Sequence, residues 1–387
     1  MDGGRDLDKG KGKPAHRSGA ALAFVRAMVK RDWRSLQITL IACAVAAIVT
    51  CFQYQVYTSF VRAGSVGPRF VGGAVWISAG SIECFDFPFP IGEDYAGLLA
   101  REFPEAGVRR VAFGFTSWTS PNGTRGNVAV IGVDDPRTES GAPLADKAFI
   151  ADRSDLGRLD LANRPGQLAT LGGQTMEFAA ATSRLPTFLG APYVVTSFEQ
   201  ARSLLGMDPG STAFLVLDQP DGDPAALAAA IGRAQRQFPE LTLRSKDQFE
   251  DSSSVYWQRK TGAGSAIILA AILASLLMMI LLANGILRFL QRYSQDLLSM
   301  LGHGAGLREV WLVTGGIAIV VAATTCTAML VFTPLMILGL KPILPWVSFV
   351  PFDALVPMLS IAIALGVGIA SAGGAVRQYG PEAVFRT

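Results

Sequence analysis

The residue types that most often carry chemistry are scarce in this sequence and are not grouped. Its only histidines are His16 and His303, so no Cys/His spacing typical of a zinc site is present. The chain contains no G-x-x-x-x-G-K-[ST] nucleotide loop, and G-x-S-x-G, H-E-x-x-H and C-x-x-C are absent as well. Acidic residues such as Asp134, Asp135 and Asp152 are typical of solvated loops. We therefore expect a protein that is not an enzyme and has no metal and no cofactor, so any uphill transport must draw its energy from another subunit.

Long uncharged runs dominate the composition. Only 17% of the residues are charged, against roughly 25% in soluble proteins. Four runs contain no Asp, Glu, Lys, Arg or His: Ser35–Val61, Thr261–Leu287, Trp311–Leu340 and Ala354–Val376. Each exceeds the roughly 20 residues needed to cross a bilayer, so we expect four transmembrane helices. Because the runs carry no ionisable residue, a proton-coupled pump or an ion channel is disfavoured.

The distribution of basic residues predicts the orientation in the membrane. Residues 1–34 contain nine Lys and Arg against four Asp and Glu, whereas residues 61–262 contain 19 against 23. By the positive-inside rule, both termini are expected in the cytoplasm of a bacterium and the long segment outside its inner membrane. The net charge of +3 hides this partition and gives no argument for nucleic-acid binding.

The predicted order of segments follows from these runs. It is a cytoplasmic tail over 1–34, span 1 over 35–61, an outer domain over 62–260, span 2 over 261–287, a cytoplasmic loop over 288–310, span 3 over 311–340, an outer loop over 341–353, span 4 over 354–376 and a tail over 377–387. The fold class is thus an α-helical membrane protein with four transmembrane helices and a large extracytoplasmic domain between spans 1 and 2.

The outer domain has the pattern of an α/β fold. Apolar runs predict strands at Ala74–Ser78, Arg109–Phe115, Asn127–Val133, Leu168–Leu171, Met176–Ala181, Thr212–Leu217 and Leu241–Leu243. Helical spacing predicts helices at Asp94–Arg101, Ser197–Leu205 and Ala225–Gln237. We expect a β-rich insertion over about 147–206, a hairpin turn at Gly172 and Gly173, and a helical stalk over 246–262 that leads into span 2.

A helix is also predicted before span 1. An apolar stripe includes Val25, Val29 and Trp33, while Arg26 and Lys30 occupy other faces. This pattern favours an amphipathic helix in the cytoplasmic interface of the lipid bilayer. The alternative is ordinary basic flanking sequence without a helical role.

Small residues recur at every fourth position of the fourth run. These residues are Ala362, Gly366, Ala370 and Gly374. Faces of this kind let helices pack closely in lipid, so we expect this stripe to contact another helix.

The cytoplasmic loop contains the sequence SQDLLSMLGHGAGLREVW at 294–311. Apolar residues from Leu297 to Leu301 end at a glycine-rich turn, and charge returns at Arg308 and Glu309. Since an energy source must contact the chain on this side, we interpret the loop as a docking element for an ATPase. The alternative is an ordinary connecting loop.

The layout of one long outer domain followed by three closely spaced spans resembles the FtsX-like, MacB-type permease family of ABC transporters. Residues 297–302, LLSMLG, are similar to the family's helix before the cytoplasmic turn, residues 307–310 to its restart, and residues 380–386, GPEAVFR, to its terminal motif. The outer segments VWI at 75–77 and FIADRS at 149–154 most resemble permeases of the heterocyst-glycolipid exporter type (DevC-like). The resemblance implies ATPase-coupling roles for Leu297, Leu298, Leu301, Gly302, His303, Leu307, Arg308, Glu309, Pro381, Phe385 and Arg386.

The resemblance also implies partners and a function. It implies a permease homodimer in membrane lipid, two copies of a cytoplasmic ABC ATPase, and a periplasmic adaptor (membrane fusion) protein. The chain would transmit ATP-driven motion to its outer domain and export a lipidic or amphiphilic substrate. The alternative is a scaffold of the same architecture that activates a periplasmic cell-wall hydrolase.

Overall fold

The computed structural model describes residues 14–31, 33–188, 190–218, 224–303 and 306–379. The helices are α1 (Pro14–Arg31), α2 (Trp33–Ala63), α3 (Val66–Val71), α4 (Asp94–Glu102), α5 (Phe198–Leu205), α6 (Pro224–Gln237), α7 (Lys246–Arg259), α8 (Ala263–Arg292), α9 (Ser294–Gly302), α10 (Leu307–Leu340) and α11 (Leu355–Tyr379). The strands are β1 (Val75–Ala79), β2 (Ile91–Gly92), β3 (Gly107–Thr119), β4 (Arg125–Val133), β5 (Ala148–Asp152), β6 (Gln167–Leu171), β7 (Gln174–Thr182), β8 (Tyr193–Ser197), β9 (Ser211–Thr212), β10 (Phe214–Asp218) and β11 (Leu241–Ser245).

Four helices are long and apolar enough to cross a membrane, which confirms the expected number of apolar helices. They cover Leu36–Ala63 in α2, Ala263–Phe289 in α8, Arg308–Leu340 in α10 and Pro351–Ser371 around α11. The chain divides into two compact units. The first comprises Met1–Gln55, Ile268–Ile337 and Phe349–Thr387, and the second comprises Val56–Ile267 and Leu338–Ser348.

The first unit has one apolar core, to which α1, α2, α8, α9, α10 and α11 all contribute. The backbones approach closely where small residues permit it. A Cβ added to Gly285 would lie 2.8 Å from Cγ2 of Thr39, and one added to Gly368 would lie 3.3 Å from Cδ1 of Ile286. Thr50 Oγ1 also donates to the carbonyl oxygen of Ala274 at 3.1 Å, which ties α2 to α8.

The predicted small-residue stripe of α11 points away from this core. Ala362, Gly366 and Ala370 are exposed, and nothing lies within 4 Å of a Cβ added to Gly366. Gly374 lies in the helix, but its surroundings are outside the described part of the structure. Close packing through this face therefore stays a prediction, and within this chain α11 packs instead through Ile361, Ala364, Leu365 and Gly368.

The second unit is built on a mixed sheet of nine strands, and its α/β character is as predicted. The strand order is β11-β1-β10-β3-β4-β8-β5-β7-β6, and β6 also pairs with β3. The last six strands of this order therefore close into a ring. The pairs β4–β8 and β5–β7 are parallel, and the remaining pairs of the sheet are antiparallel.

The segment predicted as a β-rich insertion supplies strands to this same sheet. β8 pairs with β4 in parallel, and β6 pairs with β3 at Trp118 and Leu171. Sequence analysis missed β5 and β8 because both are buried along almost their whole length and so lack the alternation of a half-buried strand. The hairpin turn at Gly172 and Gly173 is confirmed, and both glycines have positive φ.

The stalk predicted to continue into span 2 is a separate helix. A capping box formed by Ser245 and Gln248 starts α7. The helix ends at Arg259, and α8 begins only at Ala263. Gly262, with φ of 73°, supplies the left-handed backbone at this break.

Candidate functional site

The predicted docking element is a helical hairpin turn in the first unit. α8 ends at Arg292, α9 runs from Ser294 to Gly302, and α10 begins at Leu307. Tyr293 lies buried at the junction of α8 and α9, where its ring packs on Phe289 with centroids 4.8 Å apart. A buried aromatic residue therefore fixes the point at which the chain leaves α8.

Helix α1 packs against this turn. Tyr293 Oη donates to the carbonyl oxygen of Met28 at 3.4 Å. Val25 and Met28 of α1 share the apolar core with Leu297 of α9 and Val310 of α10. An ion pair of 3.5 Å joins Arg31 to Asp296, but its side chains are 72% and 42% exposed, so it contributes little free energy of unfolding. Apolar burial is what positions α9.

The turn itself is held by local polar contacts. The backbone N–H and Nδ1 of His303 both donate to the carbonyl oxygen of Ser299, at 3.0 and 2.7 Å, and close the last turn of α9. Glu309 accepts from the backbone N–H of Gly306 at 2.8 Å, and Gly306 in turn accepts from the N–H of Glu309 at 3.0 Å. The first contact is the Glu309 half of a capping box, and the second is a backbone hydrogen bond of the first helical turn. His303 and Glu309 therefore shape the turn in addition to any role toward a partner.

The remaining predicted coupling residues divide by exposure. Leu297 is buried, whereas Gly302, His303 and Arg308 are exposed. Leu298, Leu301 and Leu307 belong to α9 and α10, but their side chains lie outside the described part of the structure. Pro381, Phe385 and Arg386 lie outside the described residues altogether.

The predicted interfacial helix is present as α1, and one side of it packs on protein. Val25 is buried against Gly316, where an added Cβ would come within 3.1 Å of Val25 Cγ2. Val29 is half-buried, while Arg26 and Lys30 are exposed. Trp33 belongs to the first turn of α2 and is 49% exposed. Contact of this exposed face with lipid stays a prediction.

A second polar group lies in the other unit, around Asp86. This carboxylate is buried and accepts hydrogen bonds from Trp257 Nε1 at 2.9 Å, from Tyr193 Oη at 3.3 Å and from Cys84 Sγ at 3.5 Å. Desolvation by burial raises the pKa of Asp86 to about 6, although the hydrogen bonds from Trp257, Cys84 and Tyr193 oppose the rise. The group ties the segment before β2 to α7 and β8.

An aromatic cluster lies beside Trp257 and consists of Phe60, Phe188, Trp257 and Trp346. The ring of Phe188 lies 5.2 Å from Phe60, 5.1 Å from Trp257 and 6.3 Å from Trp346. These residues come from α2, α7 and the segments that follow β7 and α10. Ser59 adds a polar tie because its hydroxyl donates to the carbonyl of Ser348 and accepts from the N–H of that residue. Within the second unit, the cluster therefore joins α2 and the segment after α10 to α7 and the segment after β7.

The described residues contain no group of three or more His, Cys, Asp or Glu side chains that could hold a metal ion. A cleft of about 220 Å³ is lined by Phe70, Arg109, Arg137, Glu139, Arg184 and neighbouring residues. Two of its cations are engaged in ion pairs, Arg109 with Asp218 and Arg137 with Asp135. Its acid Glu139 accepts hydrogen bonds from the hydroxyl groups of Thr182 and Ser183, both at 2.9 Å.

Comparison with solved structures gives partial likenesses, which include the following two. The periplasmic region of MacB from Actinobacillus actinomycetemcomitans is 8% identical, and the match covers 46% of this chain and 92% of that one with a TM-score of 0.36. The extracellular domain of the noncanonic ABC-type transporter YknZ from Gram-positive bacteria is 12% identical, and the match covers 44% of this chain and 98% of that one with a TM-score of 0.33. No family model matches the chain, and no curated protein does. Likenesses with identities and TM-scores this low do not establish a function for this chain.

Sequence analysis missed the residues that hold these sites together. Met28 and Tyr293 flank the predicted elements, but only the fold brings them within hydrogen-bonding distance. Asp86 had a local signal, because it is the one acid within CFDFPFP at 84–90. A charge within an aromatic run is expected to be buried with partners or to be functional.

Proposed function

We propose that this chain is the membrane permease subunit of an ABC-type exporter. In this proposal the chain hydrolyses no ATP itself. A separate cytoplasmic ATPase docks on the turn between α9 and α10, both termini lie in the cytoplasm, and motion passes along the apolar helices to the outer domain. The substrate class that suits an exporter with uncharged spans is a lipid or another amphiphile. A second copy of the chain and a periplasmic adaptor complete the proposed assembly, and the heterocyst-glycolipid type remains the proposed subtype.

The observation that carries the proposal is the construction of the α9 turn. A loop that only connects two apolar helices does not need its own helix, and it does not need to be buried against a third one. Here α9 is packed on α1 through Leu297 and is fixed at its start by Tyr293. Beyond its first turn, this element presents exposed polar residues that include Ser299 and His303. A stiff element with a polar exposed face is suited to receive force from a docked protein.

An aromatic cluster in the second unit supports the same proposal. The aromatic cluster around Phe188 contains residues of α2 and of the segment after α10. Aromatic side chains bury large areas and pack in defined geometries, so a displacement of one ring moves the rings packed against it. The scaffold that activates a cell-wall hydrolase has no specific observation in its favour.

A proline in α9 tests the proposed coupling. Leu298→Pro removes a backbone hydrogen bond from the helix interior and introduces a clash with the preceding turn, at a cost of roughly 3 kcal/mol. We expect the chain, purified with its ATPase and reconstituted in proteoliposomes, to lose its stimulation of ATP hydrolysis while remaining inserted in the membrane.

The matched control is Gln295→Pro. Gln295 lies in the first turn of α9, where proline is tolerated because the N–H group has no partner within the helix. This variant should retain stimulation. The coupling role is refuted if Leu298→Pro stimulates ATP hydrolysis as well as the parent chain, or if no ATPase accompanies the parent chain from its native membrane.

A further inference from the structure

The segment that precedes β2 exposes two aromatic side chains. Along residues 83–90, ECFDFPFP, the side chains change from buried at Cys84, Phe85 and Asp86 to exposed at Phe87 and Phe89. Phe85 is 1% exposed and stacks on Phe214 with ring centroids 5.4 Å apart. Phe87 is 48% exposed and Phe89 is 63% exposed. Two large apolar groups therefore lie on the surface of a polar outer domain, within three residues of each other.

The segment is held along α7 by contacts that proceed toward the start of α8. The hydroxyl of Ser252 donates to the carbonyl oxygen of Glu83 at 2.5 Å, and the N–H of Phe85 donates to Ser253 at 3.3 Å. Phe87 packs on Tyr256 and Trp257, with ring centroids 5.9 and 5.8 Å away. Phe87 therefore lies beside the last turn of α7.

The last turn of α7 is in direct contact with the beginning of α8. Ser265 Oγ donates to the carbonyl oxygen of Gln258 at 3.5 Å, and a Cβ added to Gly264 would lie 2.5 Å from Cα of Gln258. Lys260, just after α7, forms an ion pair of 2.9 Å with Glu83. Tyr256 and Trp257 thus flank Phe87 while Lys260 pairs with Glu83, so the aromatic segment lies beside the residues at which an apolar helix begins.

Prolines fix the shape of the segment. Pro88 and Pro90 follow the two exposed phenylalanines, and a residue before proline is restricted to extended backbone. The backbone at Phe87 and Phe89 is consequently restricted before any ligand binds, so binding costs little further backbone entropy. Aromatic residues with neighbouring lysine are typical of membrane–water interfaces, and apolar area removed from water there is favourable at roughly 25 cal/mol per Å².

We propose that Phe87 and Phe89 insert into the interfacial region of the lipid bilayer and anchor the outer domain on the membrane surface. This inference rests on α8 crossing the membrane and does not depend on transport activity or on an ATPase. Its occupant is lipid. A second copy of the chain, or another protein, would cover the same residues without admitting lipid.

The test places a fluorescent reporter at the exposed end of the segment. Phe89→Cys is labelled with an environment-sensitive NBD dye in the full chain, reconstituted in nanodiscs of phosphatidylethanolamine and phosphatidylglycerol. Quenching is measured with a lipid that carries a nitroxide near its headgroup and, separately, with soluble iodide. Cys43, Cys51 and Cys84 are buried and Cys326 is partly buried, so we expect little labelling of the native cysteines. The unmodified chain measures this background.

Leu168→Cys is the matched control, since Leu168 is an apolar residue of β6 with 58% exposure. We expect the ratio of lipid quenching to iodide quenching to be several-fold higher at residue 89 than at residue 168, and Phe87→Cys should behave like Phe89→Cys. Iodide quenching at residue 89 equal to that at residue 168 overturns the proposal. Protection from both quenchers also overturns it, because a protein then covers the segment. Both substituted residues are exposed, and gel filtration of each labelled chain checks that it is folded.

Discussion

At the residue scale, Asp86 is an acid whose chemistry departs from that of a solvated carboxylate. Its carboxylate is buried among Trp257, Tyr193 and Cys84, and the same burial raises the pKa of the Cys84 thiol, mainly through desolvation. A thiol of this kind is unreactive, so the group has no nucleophile to offer. Its role is to join three parts of the second unit through one acceptor.

The raised pKa of Asp86 predicts a pH-dependent stability. The pKa is about 6 in the folded chain against a usual value of 3.8, so between these values the folded state retains a proton that the unfolded state has lost. The free energy of unfolding therefore falls as pH rises through this window, by about 3 kcal/mol if the whole difference is expressed. Asp86→Asn, which cannot ionise, should remove this dependence, and thermal unfolding of the full chain in detergent between pH 4 and pH 7 measures it.

An exposed aspartate provides the control for that measurement. Asp135 is 61% exposed and has a φ of 52°, a conformation that asparagine adopts readily. Asp135→Asn should unfold with the same pH dependence as the parent chain. If Asp86→Asn follows the parent curve equally well, the ionisation of Asp86 does not set the stability of the protein.

At the element scale, α1 and α9 depend on each other. α1 carries Val25 and Met28 into the core of the first unit, and α9 contributes Leu297 to the same core. A helix of 18 residues is marginal in water by itself, so its tertiary contacts decide whether it stays docked. The position of the proposed ATPase surface on α9 therefore depends on the docking of α1.

Replacement of a single buried residue should release α1. Val25→Asp places a carboxylate in the apolar core, which costs several kcal/mol unless the helix leaves. Trypsin cleavage after Arg26 or Lys30 should then accelerate by about tenfold or more, since every ~1.4 kcal/mol of lost docking free energy corresponds to a factor of ten. Ala27→Asp, on the exposed face next to it, should be cleaved at the parent rate. Equal rates for both variants would show that α1 is not held by this core.

At the scale of the whole molecule, the apolar helices and the mixed sheet belong to separately packed units. The core of the first unit is formed by α1, α2 and α8 to α11, whereas the remaining apolar clusters all lie in the second unit. Because α2, α8 and α10 each have residues in both units, these helices are the routes by which a displacement would pass in the proposed exporter.

The orientation of the chain in the membrane is tested by labelling. A cysteine in place of Ser140, which is exposed in the sheet-bearing unit, should react with a membrane-impermeant maleimide in intact cells. A cysteine in place of Ser294, at the start of α9, should react only after permeabilisation. The reverse pattern would contradict the positive-inside prediction and, with it, the proposed ATPase surface.

The sequence by itself determined the four apolar helices, the α/β character of the sheet-bearing unit and most of its strands. These features depend on local properties: run length, alternation and capping signals such as Ser197 before α5. A break in periodicity also located the α9 turn. Hydrophobic periodicity and turn-forming residues are local features of the sequence, so they can be recognised without knowledge of the fold.

The tertiary structure alone decided how these elements combine. It closed six strands into a ring through the β3–β6 pairing and gathered Asp86, Tyr193 and Trp257 from distant parts of the chain. It also turned α1 toward α9 rather than leaving it free for lipid on all sides. The physical reason is that burial and hydrogen bonding between residues far apart in sequence depend on which faces meet. Local periodicity fixes which face is apolar but not which other face will cover it.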